Sequence, residues 1–196
     1  MNDVRLLDKI IELRTVCKII SHLKSQLIER LPHYGNDALF LQNDEITTGL
    51  LNNKTEIKIH LLTGELLYFD SENGHIVDLT HDKFDKRLES IVTKYGLDLP
   101  KMSSFTLRHK YLSEYIPFAK KVNKSLELFR MKLRDHFTQV HLWPDGFDFS
   151  VESFMMKNNE QIGVGVSPGD DNYESPYLYV NPYPFNENIV DQSLPI

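Results

Sequence analysis

HLWPDGFDFS, residues 141–150, places two apolar runs on either side of Pro144-Asp145-Gly146. Proline presets φ in such a turn and glycine supplies a positive φ without steric cost, so the triplet predicts a hairpin. A two-residue loop at Asp145-Gly146 puts Val140, Leu142, Phe147, Phe149 and Val151 on one face. His141, Trp143, Asp148 and Ser150 then share the other. A three-residue loop would mix apolar and polar groups on both faces. Burial of one face selects the first register, because a one-residue slip inverts every side chain. The alternation continues in QIGVGV (161–166), where Ile162, Val164 and Val166 oppose Gly163 and Gly165. It continues again in PYLYVN (176–181), where Leu178 and Val180 oppose Tyr177, Tyr179 and Asn181. An antiparallel sheet follows, its aliphatic face packed on helices and its other face aromatic and polar.

Upstream, helical spacing of Leu6, Ile10, Leu13, Val16, Ile20, Leu23, Leu27 and Leu31 predicts a helix over 3–31, capped by Asp3 and stopped by Pro32. ALFLQ, EITTGLL, TEIKIHLL, ELLYFD and HIVDL then fill 36–79 with short strands, and Glu-Asn-Gly before the last is a hairpin turn. The gaps are too short for helical crossovers, so these strands are antiparallel. Helices follow over 82–95, stopped by Gly96, and over about 109–135, where Pro117 opens or kinks the helix. The tail from Asn181 reads as extended loop. The fold class is α+β, long helices packed on antiparallel β-sheet in the order helix, strands, helix, helix, strands. One domain is expected over 1–196, with halves at 1–98 and 107–185.

The composition is 41% hydrophobic and 26% charged, which suits an ordinary core, and the net charge of −6 argues against broad binding to nucleic acid or an anionic membrane. The single cysteine, Cys17, excludes an internal disulfide and a thiolate metal cage; flanked by Val16, Ile19 and Ile20, it reads as a buried thiol. With no signal peptide and no apolar run near the ~20 residues a span needs, a cytoplasmic location is expected.

Three further motifs are set aside. GVSPG (165–169) fits the nucleophile-elbow pattern, but Pro168 has no N–H to offer an oxyanion hole and no helix signal follows Ser167. SPGDDNYESP (167–176) gathers Asp170, Asp171, Asn172 and Glu174, yet lacks the spacing of a calcium loop and reads as a solvated turn, so no metal is expected. The basic run from Arg108 to Arg134 reads as the wet side of an amphipathic helix.

HLWPDGFDFS and GVGVSPGDDNYESPYLYVNPYPF, with the helix end FRMKLRDHF before them, resemble an uncharacterised bacterial and archaeal family, a domain of unknown function. The resemblance covers about residues 129–185. It implies no catalytic residue, because the family carries no established activity. Family members have two histidines where this chain has Asp145-Gly146, and they continue beyond the PYP segment with further His- and Trp-containing sequence.

The polar face supplies the candidate site. Rings with polar tips and a few convergent polar groups suit a small molecule, and strand glycines leave room for a close approach. His141 is the expected proton donor or acceptor, with Asp148 orienting it. Trp143, Ser150, Gly163, Gly165, Tyr177, Tyr179 and Asn181 are the expected ligand contacts. The expected function is small-molecule binding, with or without catalysis, and no reaction type or cofactor follows. The alternative is a non-catalytic interaction module in which a protein partner or a second copy, as a homodimer, covers this face.

Overall fold

A computed structural model describes residues 6–51, 54–101, 105–133, 137–154 and 160–184. The N-terminal amphipathic segment forms α1 (Leu6–Lys9) and α2 (Ile11–Leu27); the proposed cap Asp3 lies outside the described residues. The helix stops four residues before the expected Leu31. Leu31 precedes Pro32, which disfavours helical backbone, and it is extended at φ −89°, ψ 149°. Asn36 secures the alternative: its side chain accepts from the Leu31 N–H at 2.5 Å and donates to the Glu29 carbonyl at 3.1 Å. Residues 28–38 therefore form a strap rather than a last helical turn.

Five short strands follow, β1 (Phe40–Gln42), β2 (Glu45–Thr47), β3 (Glu56–His60), β4 (Glu65–Phe69) and β5 (Gly74–Asp78), each antiparallel to the next. Leu41, Ile46, Ile59, Leu66 and Val77 align across the five strands. All are buried, and each contributes about 1.5–3 kcal/mol by leaving water. The β4–β5 turn is closed by Asp70, whose Oδ1 accepts from the Glu72 and Asn73 N–H groups at 2.7 Å each. Helix α3 (Phe84–Lys94) buries Phe84, Leu88, Ile91 and Val92, and Gly96 ends it at φ +71°. Helix α4 (His109–Leu133) contains Pro117 in its interior.

The second sheet comprises β6 (His141–Trp143), β7 (Asp148–Phe154), β8 (Gln161–Ser167) and β9 (Tyr177–Tyr183), also an antiparallel meander. The two sheets meet edge to edge at one bridge, where Leu39 and Leu142 exchange N–H···O bonds of 2.9 and 2.8 Å. Helix α4 packs on both β1 and β7, spanning the joint, while α2 packs on β3 and α3 on β5. One cluster of buried side chains runs through both sheets, including Leu23, Ile59, Leu126 and Phe149.

The hairpin has the expected register: His141 faces Ser150, Leu142 faces Phe149 and Trp143 faces Asp148. Its connection differs from the expected two-residue loop. Residues 144–147 form the turn, closed by the Phe147 N–H on the Trp143 carbonyl at 2.7 Å. Phe147, not Gly146, takes the positive φ, at 57°. That conformation is costly for a side chain with a Cβ. It is held by full burial of the ring, 5.3 Å from the ring of Tyr115. A Cβ at Gly146 would meet the Asp148 carboxylate, which would have to shift to admit it.

Two expectations fail at β9. Its aliphatic side is not covered by helices: Leu178 is 67% and Val180 55% exposed, since α4 reaches β7 and not the outer edge. The tail also begins later than expected. Asn181, Pro182 and Tyr183 extend the strand, as an edge position permits for proline; residues 185–196 lie outside the described part.

Candidate functional site

Alternation brings the nominated side chains to one face. Ser150 faces His141 on one side and Gly165 on the other, Gly165 faces Tyr179, and Gly163 lies between Glu152 and Asn181. The space above the glycines is filled by the protein itself. A Cβ on Gly163 would stand 2.7 Å from a Glu152 carboxylate oxygen. One on Gly165 would enter the Tyr179 ring. The expected gap for a ligand at Gly163 and Gly165 is thus taken by chain side chains.

Tyr179 crosses its glycine to donate its phenol to Asp148 Oδ2. Burial raises the Asp148 carboxyl above the usual range, and burial together with the Asp148 charge raises the Tyr179 phenol. Tyr177 turns the other way, its hydroxyl 2.5 Å from Asp170 Oδ2. That bond, with the Asn172 and Tyr173 N–H groups on Oδ1 at 2.7 and 2.9 Å, holds Asp170 below the usual carboxylate range. The oxygen-rich loop spends this acid on its own turn. Ser167 likewise accepts the Gly169 N–H at 3.1 Å, and strand β8 ends there.

His141 does not meet Asp148. Register sets it opposite Ser150, and its buried Nδ1 has no hydrogen-bond partner among the described residues. Its ring lies 5.4 Å from Phe40 and 5.4 Å, edge on, from Trp143. Burial and the nearby Lys24 charge push it down to about 4, so it is neutral at pH 7 and a poor acid there. The expected dyad is therefore not assembled.

A different constellation is. The Trp143 indole N–H donates to Ser150 Oγ at 2.7 Å, and Ser150 donates to Glu152 Oε1 at 2.8 Å. Gln161 Nε2 donates to Glu152 Oε2 at 2.9 Å. Ser150 is fully buried, which closes its hydroxyl to a substrate, and Glu152 is 9% exposed. Among the described residues no cation forms an ion pair with Glu152. A cleft of about 320 Å³ opens here, lined by Trp143, Glu152, Phe154 and Gln161 from the sheet and by His33, Tyr34 and Asp37 from the strap. His33 stacks on Phe154 with centroids 3.8 Å apart. Of the nominated residues only Trp143 lines this cleft, with Ser150 behind it; Asn181 is exposed on the outer strand.

Glu152 was missed by sequence reasoning although it follows Ser150 on the same alternation. The strap residues carry no such signal, because helical apolar spacing runs on to Leu31 and strand spacing is expected from residue 36. The basic run on α4 is partly neutralised, Lys120 by Asp44 at 2.6 Å and Arg130 by Glu127 at 2.8 Å. The Cys17 thiol is buried, and burial pushes its pKa up. Among the described residues no group of three or more His, Cys, Asp or Glu side chains could hold a metal ion. No described helix is long and apolar enough to cross a membrane. No family model, curated protein or solved structure matches the chain.

Proposed function

We propose that this is a small-molecule-binding protein that holds its ligand against the outer face of the second sheet, over Trp143 and Glu152. One observation carries the reading. Glu152 is a nearly dry carboxylate held by neutral donors, without an ion-pair partner among the described residues, at the base of an aromatic cleft. Burying such a charge is costly unless its remaining lone pairs find a donor. A ligand with an N–H or ammonium group and a flat body would supply the donor to Glu152 and cover Trp143 and the His33–Phe154 stack.

Trp143 is the only tryptophan in the chain, so its fluorescence reports on the cleft directly. Titration with a panel of amines, guanidines and nucleobases at up to millimolar concentration should shift that emission for at least one compound. Glu152→Gln should weaken the response at least tenfold. A panel without any response, or a response indifferent to Glu152→Gln, refutes the reading.

A second reading, a protein-interaction or homodimerisation module that uses the aliphatic face of β9 rather than the aromatic face expected from the sequence, is favoured by the exposed Leu178 and Val180. Light scattering of the wild type against Leu178→Lys separates the two: a dimer lost in the variant supports the module.

A further inference from the structure

A second cleft, of about 660 Å³, is walled by other strap residues, and Lys24, Phe40 and His141 line it together with Leu27, Leu31 and Leu50. Lys24 is 3% exposed. Its Nζ donates to the carbonyls of Gly35 at 2.9 Å and Ala38 at 2.6 Å, and stands 5.5 Å from the Phe40 ring centroid. Two neutral carbonyls leave one ammonium proton unassigned, and among the described residues no carboxylate forms an ion pair with it. His141 also lines the cleft, although its Nδ1 is buried and without a hydrogen-bond partner among the described residues. The rest of the wall mixes aliphatic Ile28, Ala38 and Leu51 with polar Glu29, Arg30, Thr48 and Gln139, and its lip carries Leu31 and Leu50, 44% and 75% exposed. A dry cation in the wall of a partly aliphatic cleft matches a molecule with one anionic oxygen pair and a hydrocarbon body.

We propose that this cleft binds an aliphatic monocarboxylate, the carboxylate on Lys24 Nζ beside His141 and the chain along Leu27, Leu31 and Leu50. The site is separate from the Trp143–Glu152 cleft and does not depend on it. The Lys24 charge persists at neutral pH, although burial lowers its pKa from 10.5 to about 8 while Asp37 works in the opposite direction.

Calorimetric titration of the full chain with butanoate, hexanoate and octanoate tests the assignment. Affinity should rise roughly two- to fourfold per methylene, the gain expected for a partly to fully buried CH₂. Octanol and octylamine should bind at least tenfold more weakly than octanoate. Lys24→Met should abolish octanoate binding. Lys24 also tethers the strap, so Leu50→Asp provides a variant at an exposed position whose fold is not at risk. It should weaken octanoate at least fivefold and leave butanoate unchanged. Glu152→Gln should leave octanoate binding intact. No binding of octanoate up to about 5 mM, a few times the 1 mM mark of weak binding, equal binding of octanol, or indifference to Leu50→Asp would each overturn the proposal.

Discussion

Gly165→Ala is a direct test of what the strand glycines are for. The added Cβ would stand 2.7 Å from the Phe149 carbonyl oxygen and inside the Tyr179 ring. The ring can rotate away, but the carbonyl belongs to the β7 backbone and cannot move without disturbing the ladder. Overpacking of this kind costs about 1–3 kcal/mol. Displacing Tyr179 also removes its hydrogen bond to the buried Asp148, and a bond to a charged group contributes about 1.5–3 kcal/mol. The sum is roughly 2.5–6 kcal/mol, which in a chain of this size lowers Tm by roughly 5–24 °C. Thermal unfolding followed by circular dichroism measures it. In a Tyr179→Ala background the same substitution should cost only the carbonyl share, about 1–2 kcal/mol, because neighbouring sites are not additive. A Tm loss below about 3 °C in the single variant, or full additivity in the double, would show that Tyr179 does not occupy the glycine notch. The space would then be open to a ligand, as the sequence alone suggested.

Three further outcomes are expected. His141 has its folded pKa lowered from 6.5 to about 4, so between those values the unfolded chain binds a proton the folded chain refuses, and stability rises with pH. That shift corresponds to ~3 kcal/mol. Partial exposure of the ring reduces it to ~1–2 kcal/mol, and urea titrations at pH 4.5 and 7 should show this difference shrinking in His141→Gln. Phe147→Ala should cost about 3–5 kcal/mol by emptying the contact with Tyr115; a loss under about 1 kcal/mol would mean the strained turn is not held by that ring. Ser150→Ala should cost about 1–3 kcal/mol by leaving the Trp143 N–H and one Glu152 oxygen unpaired, and a Trp143 emission identical to wild type would count against the Trp143–Ser150–Glu152 hydrogen bonds.

The fold was legible where one face is buried. Leu142, Phe149 and Val151 have to point inward together, and that requirement alone sets the hairpin register. The turn inside it was not legible. Proline and glycine signal a reversal, but the ring of Phe147 decided which residue bears the positive φ, and a local pattern carries no record of Tyr115. The candidate face emerged from alternation, whereas its contents did not. Which polar side chain answers which depends on distances across three strands: Tyr179 reaches Asp148 over a glycine, and Ser150 turns to Glu152 rather than to His141. The strap was hidden for a related reason. Apolar spacing continued to Leu31, and only the pairing of Asn36 with Leu31 and Glu29 shows why the chain left the helix.

The joint between the sheets has a consequence for how copies of this chain can fail. Each sheet is a meander of sequence neighbours and closes early, since local pairing costs little loop entropy. The Leu39–Leu142 bridge unites residues from the two halves, so closing it costs more loop entropy than closing either sheet. Until it closes, β1 and β6 each present an unsatisfied edge, and each edge fits the other whether or not both belong to one molecule. Two chains folding side by side can satisfy the same bridges reciprocally, the first half of one joined to the second half of the other. Such a domain-swapped dimer needs no contact beyond those of the monomer, and a high protein concentration during refolding favours it.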